Sequence, residues 1–213
     1  MIRDAAKDNG FNIGIEIPYS ANTTDVQSQV LQLKDKSPDC IIFVSYTSDS
    51  ILYMKTMQAL GYKPPILIGD NSGFSDAAFL KTVGPIAQGA INRSAFDIGK
   101  PGSTTYLVNE MFKKKTGNDL DDTAGRAMQG ELTLAEAINR AGSTDPAKIQ
   151  AALKATDLKA NQLMMGYRGV KFDEKGNNTL AAALLIQVQG DKYVAVWPAA
   201  QAIAPLQLPY KGW

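Results

Sequence analysis

Cys40-Ile41-Ile42-Phe43-Val44, followed at once by Ser45-Tyr46-Thr47-Ser48-Asp49-Ser50, is the stretch on which the fold turns. An uninterrupted apolar run with three β-branched residues predicts a short parallel strand buried on both faces. The polar residues after it predict a strand-to-helix turn. The helix that follows is expected from about residue 48 to residue 60, where Gly61 stops it. Downstream the pattern repeats. Pro65-Ile66-Leu67-Ile68 is a second short strand, closed by Gly69-Asp70-Asn71-Ser72-Gly73. Ser75 is placed to cap a short helix through Leu80 that ends near Gly84, and another strand is expected over 89–96.

Upstream, Ser37-Pro38-Asp39 breaks a helix that carries Val26, Val30 and Leu33 at helical spacing, with Thr24 and Gln27 at capping-box spacing before it. Residues 11–17 (FNIGIEI) place Phe11, Ile13, Ile15 and Ile17 at alternate positions, which predicts a strand closed by Pro18. Residues 3–9 read as the tail of a helix ending on Gly10. The order is (α)βαβαβαβ, the grammar of an α/β protein with a parallel sheet and right-handed crossovers.

The second half changes grammar. Three helices are expected in succession, over 103–115, 123–140 and 146–155. The middle one carries Ala124, Met128, Leu132, Ala135 and Ile138 on one stripe, and Asp145-Pro146 marks the start of the third. Strand signals then return. Gly169-Val170-Lys171-Phe172 runs into a turn at Asp173-Glu174-Lys175-Gly176-Asn177, and apolar runs over 180–189 and 193–197 flank a hairpin turn at Gly190-Asp191. The tail after Pro198 reads as irregular chain.

Composition narrows the function classes. The 213 residues are 45% apolar and 20% charged, with 22 Lys+Arg against 21 Asp+Glu and a net charge of +1. That balance supports a folded globular chain and argues against a nucleic-acid binder working through a basic face. There is no histidine and one cysteine, Cys40. An intrachain disulfide, a zinc site of His and Cys ligands, and Ser-His-Asp or Cys-His catalysis are therefore excluded. No apolar run is long enough to span a membrane, and the first residues lack the apolar core of a signal peptide, so the chain as written is expected to remain in the cytoplasm.

In an open parallel sheet, ligands bind beyond the carboxyl ends of the strands. Two expected turns fall there: Ser45-Tyr46-Thr47-Ser48 after the first quoted strand, and Asp70-Asn71 after the second. Hydroxyls, amides and backbone N–H groups at such turns suit a polar ligand. The same residue types are ordinary caps and turn formers, so each loop also has a purely structural reading. Neither loop is a phosphate loop, and Asp49 with Asp70 makes a poor acid–base or Mg²⁺ pair without a histidine, a nucleophile or a glycine cradle. Arg126 is the one basic residue near the start of its Ala-, Gly- and Met-rich helix. It suits a two-pronged grip on a carboxylate, or equally an ion pair with Asp121, Asp122 or Glu131. Tyr46 and Trp197 are candidate stacking aromatics, although such residues more often belong to a core.

Several short motifs, in order, resemble the second lobe of type I periplasmic binding proteins, the solute receptors of branched-chain amino acid and amide ABC importers. They are Thr24-Asp25 at a helix start, Pro38-Asp39 before a buried strand, Leu60-Gly61-Tyr62, Pro64-Pro65-Ile66-Leu67-Ile68-Gly69, Gln88-Gly89, Arg140-Ala141-Gly142-Ser143-Thr144-Asp145-Pro146, and Phe172-Asp173-Glu174-Lys175-Gly176. The resemblance covers nearly the whole chain. It implies a Rossmann-like α/β lobe over 1–97, helices of the incomplete other lobe over 98–165, and return strands with a tail over 166–213. It also implies closure on a small solute by hinge bending. The family's contact loops fall on Ser45, Tyr46, Thr47 and Ser48, and on Asp70 and Asn71. The helix beginning near Thr123 also faces the cleft. There the family's amino-acid receptors carry a tyrosine, where this chain reads Thr123-Ala124-Gly125-Arg126-Ala127-Met128, so Arg126 points to a carboxylate-bearing ligand.

The resulting expectation is a non-enzymatic receptor for a small amino acid, organic acid or amide, needing no cofactor or metal. Its full-length parent would work in the periplasm with an ABC permease and without nucleic acid. The family's chain is nearly twice as long, so this one is expected to be a fragment whose unpartnered helices are covered by another copy of itself. The alternative is a cytoplasmic ligand-sensing regulatory domain of the same fold. An α/β enzyme is the remaining, weaker option.

Overall fold

The computed structural model describes residues 2–70 and 72–213. Helices α1 (Ile2–Asp8) and α2 (Gln27–Lys36) precede strand β1 (Cys40–Phe43). Then come α3 (Thr47–Ala59), β2 (Ile66–Gly69), a 3₁₀ turn (Ser72–Phe74), α4 (Ala77–Val83), a second 3₁₀ turn (Gly84–Ala87) and β3 (Ile91–Ser94). Helices α5 (Thr104–Thr116), α6 (Asp122–Ala141) and α7 (Pro146–Lys154) follow in succession. A small ladder pairs β4 (Asp157–Lys159) with β5 (Gly169–Lys171), and β6 (Leu184–Gln189) and β7 (Lys192–Trp197) complete the main sheet. That sheet has the order β1-β2-β3-β6-β7, with β1, β2 and β3 parallel and the β6–β7 hairpin antiparallel. Gly190 turns the hairpin at φ +71°, a backbone conformation that glycine adopts without strain. No helix among the described residues is long and apolar enough to cross a membrane.

The parallel half holds the main core. Val26 at the N-cap of α2, Val30 within it, Met54 and Met57 of α3, Phe79 of α4 and Leu67 of β2 are all fully buried together. Phe43, Tyr53, Phe74 and Phe79 form a chain of ring contacts, with Phe74 and Phe79 centroids 4.8 Å apart. A smaller cluster joins the segment after β3 (Ala95, Phe96) to Leu120, Met164 and Met165, with Val108 and Phe112 of α5 and Met128 of α6 half-buried against it. The C-terminal tail is irregular, as expected, but it is firmly tied. Tyr210 is buried, with its N–H donating to Pro65 O at 2.8 Å, and Lys211 N–H donates to Gln88 O at 3.1 Å. Both carbonyls precede strands, so the tail straps the amino ends of β2 and β3 and leaves their carboxyl ends open.

Five local expectations are corrected. Residues 11–17 form no strand: β1 is the sheet edge, no strand lies beside that segment to take its hydrogen bonds, and Ile15, Ile17 and Tyr19 pack instead against the main core. β1 itself is covered on one face only. Ile41 and Phe43 are buried, while Ile42 and Val44 are 49% and 53% exposed. The Thr24–Gln27 capping box does not form, because Val26 occupies the N-cap and Asp25 Oδ1 accepts the Gln27 N–H at 2.8 Å. Asp76 caps α4 in place of Ser75, accepting from Ala78 N–H. On α6 the buried residues are Asp122, Gly125, Gln129, Thr133 and Ala137, whereas Leu132 and Ala135 of the expected stripe face solvent. The polar face wins because Asp122 and Gln129 satisfy buried backbone N–H groups at Ala95 and Met164.

Candidate ligand-binding edge

Parallel pairing puts the two candidate loops side by side. Phe43 of β1 stands opposite Gly69 of β2, so the chain leaves both strands at the same end, and Asp70 N–H donates back to Phe43 O at 2.7 Å. Gly73 shows how close the loops are: a Cβ there would stand 2.2 Å from Ser50 Oγ and 2.3 Å from Ser45 O. A side chain would force the loops apart, so a glycine is required at that crossing. Thr47 Oγ1 adds a second stitch, donating to Asp76 Oδ2 at 2.9 Å.

Each predicted residue has a definite place. Ser45 is buried and its Oγ lies 2.8 Å from Ser50 Oγ, so its hydroxyl is engaged inside the loop. Tyr46 is 61% exposed at the N-cap of α3, with its carbonyl accepting from Ser50 N–H and Ser50 Oγ. Thr47 is half-buried and Ser48 is exposed. Asp70 is ion-paired with Arg93 of β3. Asn71 lies outside the described residues. Trp197, at the end of β7, is exposed like Tyr46 and belongs to neither core cluster.

Arg126 joins this edge through Asp122. Asp122 Oδ1 accepts from Ser94 Oγ at 2.7 Å and from Ala95 N–H at 2.9 Å, just past the end of β3. Its Oδ2 accepts from Arg126 Nε at 2.7 Å, and Arg126 Nη1 donates to Tyr167 Oη at 3.2 Å. Burial opposes ionisation of Asp122, but the bonds from Arg126, Ala95 and Ser94 outweigh it and hold its carboxyl below the usual range. For Arg126 burial also works against the charge, and Asp122 outweighs it, so the guanidinium is held more firmly charged. The Arg126–Asp122 pair realises one of the two readings of that residue. These bonds use Nε and Nη1 of the guanidinium.

Sequence reasoning missed Arg93 and Asp76, the side chains that hold Asp70 and Thr47. Arg93 left one usable signal, a charge inside a short strand next to a candidate edge. Asp49 proves to be buried, accepting the Asn22 N–H at 3.0 Å, and so serves the loop's interior. No cluster of three or more metal-ligating side chains occurs among the described residues.

Comparison with known proteins assigns the chain to a family. The profile of the Periplasmic binding protein family matches residues 1–192. The Leu/Ile/Val-binding protein homolog 7 of Brucella suis is 33% identical over 95% of this chain, and homolog 8 of Brucella abortus is 32% identical over 96%. This chain spans 52% of the length of each, about half. Among solved structures, a leucine-binding protein from Thermotoga maritima superposes with a TM-score of 0.75 at 17% identity, covering 91% of this chain and 53% of that one. The leucine-, isoleucine-, valine-, threonine- and alanine-binding protein of Brucella ovis, in its closed conformation, gives 0.74 at 17% identity, covering 97% and 55%. At those identities the structures establish the fold. The family profile and the Brucella sequences carry the family itself: this chain is a fragment of a type I periplasmic binding protein.

Proposed function

We propose that this chain supplies one wall of a solute-binding cleft that takes a small amino acid, organic acid or amide and performs no chemistry on it. Three groups line the open carboxyl edge in this reading: Tyr46, Thr47 and Ser48, then Asp70, then Arg126. Ser45 contributes through its backbone. Arg126 Nη2 meets a ligand carboxylate, and Asp70 meets an ammonium or amide N–H. The stitching of the two loops at Gly73 and Thr47 carries the reading, because it holds exposed Tyr46 and half-buried Asp70 on one rim. The relatives are named as homologs of a Leu/Ile/Val-binding protein, which favours an aliphatic amino acid or a close analogue. The family's name supports a periplasmic full-length parent, and in this reading its partner is an ABC permease. The cytoplasmic sensing-domain alternative gains no support from the relatives. The exposed apolar residues Leu107 and Met111 of α5 and Leu132 of α6 suit cover by a second copy, which light scattering on the eluted protein tests.

Calorimetric titration with leucine, isoleucine, valine, short organic acids and their amides tests the site. The expected result is that one class binds and that Tyr46→Ala or Asp70→Ala weakens it at least about tenfold, the loss of a hydrogen bond to a charged group. Affinity unchanged in both variants removes the ligand from this edge.

A further inference from the structure

A groove of about 720 Å³ runs between α4 with its following 3₁₀ turn, the β6–β7 hairpin, and the connection from α5 to α6. None of Ser45, Tyr46, Thr47, Ser48, Asp70 or Arg126 lines it. Two hydroxyls of its wall lack partners. Ser75 is 3% exposed and its Oγ bonds to nothing among the described residues, and the buried Oη of Tyr193 is likewise unpaired. Buried hydroxyls are normally paired, so two in one wall mark a place where a polar group is wanted. Burial, with the nearby charges of Asp76 and Asp121, pushes the Tyr193 phenol well above its ordinary value and keeps it a neutral hydroxyl.

The rest of the wall indicates the chemistry. Leu80, Phe96 and Ile186 supply an apolar floor. Five aspartates and three lysines line the groove; Asp119 is paired with Lys113 and Asp122 with Arg126, which leaves Asp97, Asp121 and Asp191 against Lys81 and Lys192. Burial pushes the Asp97 carboxyl above the ordinary range, against the opposing backbone bonds from Gly99, whose N–H donates to Oδ2 at 3.0 Å, and from Ala195 and Ile98. A site with unpaired hydroxyl acceptors, surplus carboxylate and an apolar floor is complementary to an ammonium on a hydrocarbon chain.

We propose that this groove is a second small-molecule site, separate from the carboxyl edge, for a primary amine with a short apolar body. Its ammonium hydrogens go to Ser75 Oγ, Tyr193 Oη and the aspartates beside them, and its hydrocarbon chain lies on the apolar floor. The test is a titration of the ¹⁵N-labelled full chain with n-hexylamine, read by amide chemical shifts, with hexanoate and hexan-1-ol as controls. The expected result is saturable shifts confined to residues 75–81, 96–98 and 190–193 for the amine alone. Tyr193→Phe and Ser75→Ala should each weaken binding about fivefold. Shifts outside those segments, equal response to hexanoate or hexanol, or full affinity in both variants overturns the proposal. The mapping on the unsubstituted chain decides the matter even if a variant fails to fold.

Discussion

The parallel half and the helical half of this molecule treat their apolar residues in opposite ways. Around β1, β2 and β3, the apolar residues of α2, α3 and α4 are driven into one cluster of fully buried side chains. On α5 and α6 the buried faces are small or polar, at Asn109, Gly125, Gln129 and Thr133, while Leu107, Met111, Leu132 and Leu134 look outward. Helices pack where a partner surface lies within reach, and amphipathic pattern alone does not supply that partner. Stability is therefore concentrated in the half that carries Tyr46 and Asp70, and the half that carries Arg126 is held to it by a smaller apolar cluster and a few specific bonds.

The comparison breaks first at Phe79. It is fully buried against Phe74, so Phe79→Ala should cost roughly 3–5 kcal/mol. Urea unfolding measures this, and a loss below about 1 kcal/mol would mean that the main core is not where stability resides. The next largest effect is at the junction. Asp122→Ala strips partners from Ser94, Ala95 N–H and Arg126 together and should cost about 2–3 kcal/mol. It should also change the acid limb. The native carboxyl is held below its unfolded value, so its contribution is complete above the ordinary range near about 4 and disappears as pH falls through the lower native value. Stability measured against pH should fall less steeply in the variant over that acid window.

Gly125→Ala sharpens the comparison further. Alanine is the better helix former by about 1 kcal/mol, yet its Cβ would stand 2.5 Å from Cδ2 of Phe96. If α6 is clamped to the segment after β3, the net effect is destabilising by roughly 1–2 kcal/mol. A stabilised variant in thermal unfolding would show that the clamp is loose. The smallest effect belongs to the outward face. Leu107→Ser should change unfolding stability by less than about 0.5 kcal/mol. A larger loss, dependent on protein concentration, would show that α5 is covered in solution by another chain.

The two halves also differ in how much of them could be read in advance. The βαβ grammar, the hairpin at Gly190 and the succession of three helices follow from periodicity and punctuation, which are local properties. The one-sided cover of β1 and the unpaired segment over 11–17 do not. Alternation shows that a segment can be a strand, and only a neighbouring strand makes it one. The candidate edge divides the same way. The polar loops after β1 and β2 are legible because strand ends and turn residues are sequence features. That Thr47 bonds Asp76, 29 residues on, and that Asp70 pairs with Arg93, 23 residues on, is invisible to any local pattern.

Taken by itself, the sequence determined the α/β class, the position of the candidate edge at the strands' carboxyl ends, and the absence of the side chains that most hydrolytic and zinc chemistry requires. The tertiary structure alone decided which face of each element is covered and which polar groups are already engaged by the protein. The physical reason is that backbone preference and hydrophobic period act over a few residues. Burial and hydrogen-bond pairing are settled by groups far apart in the chain, competing for the same space and the same donors.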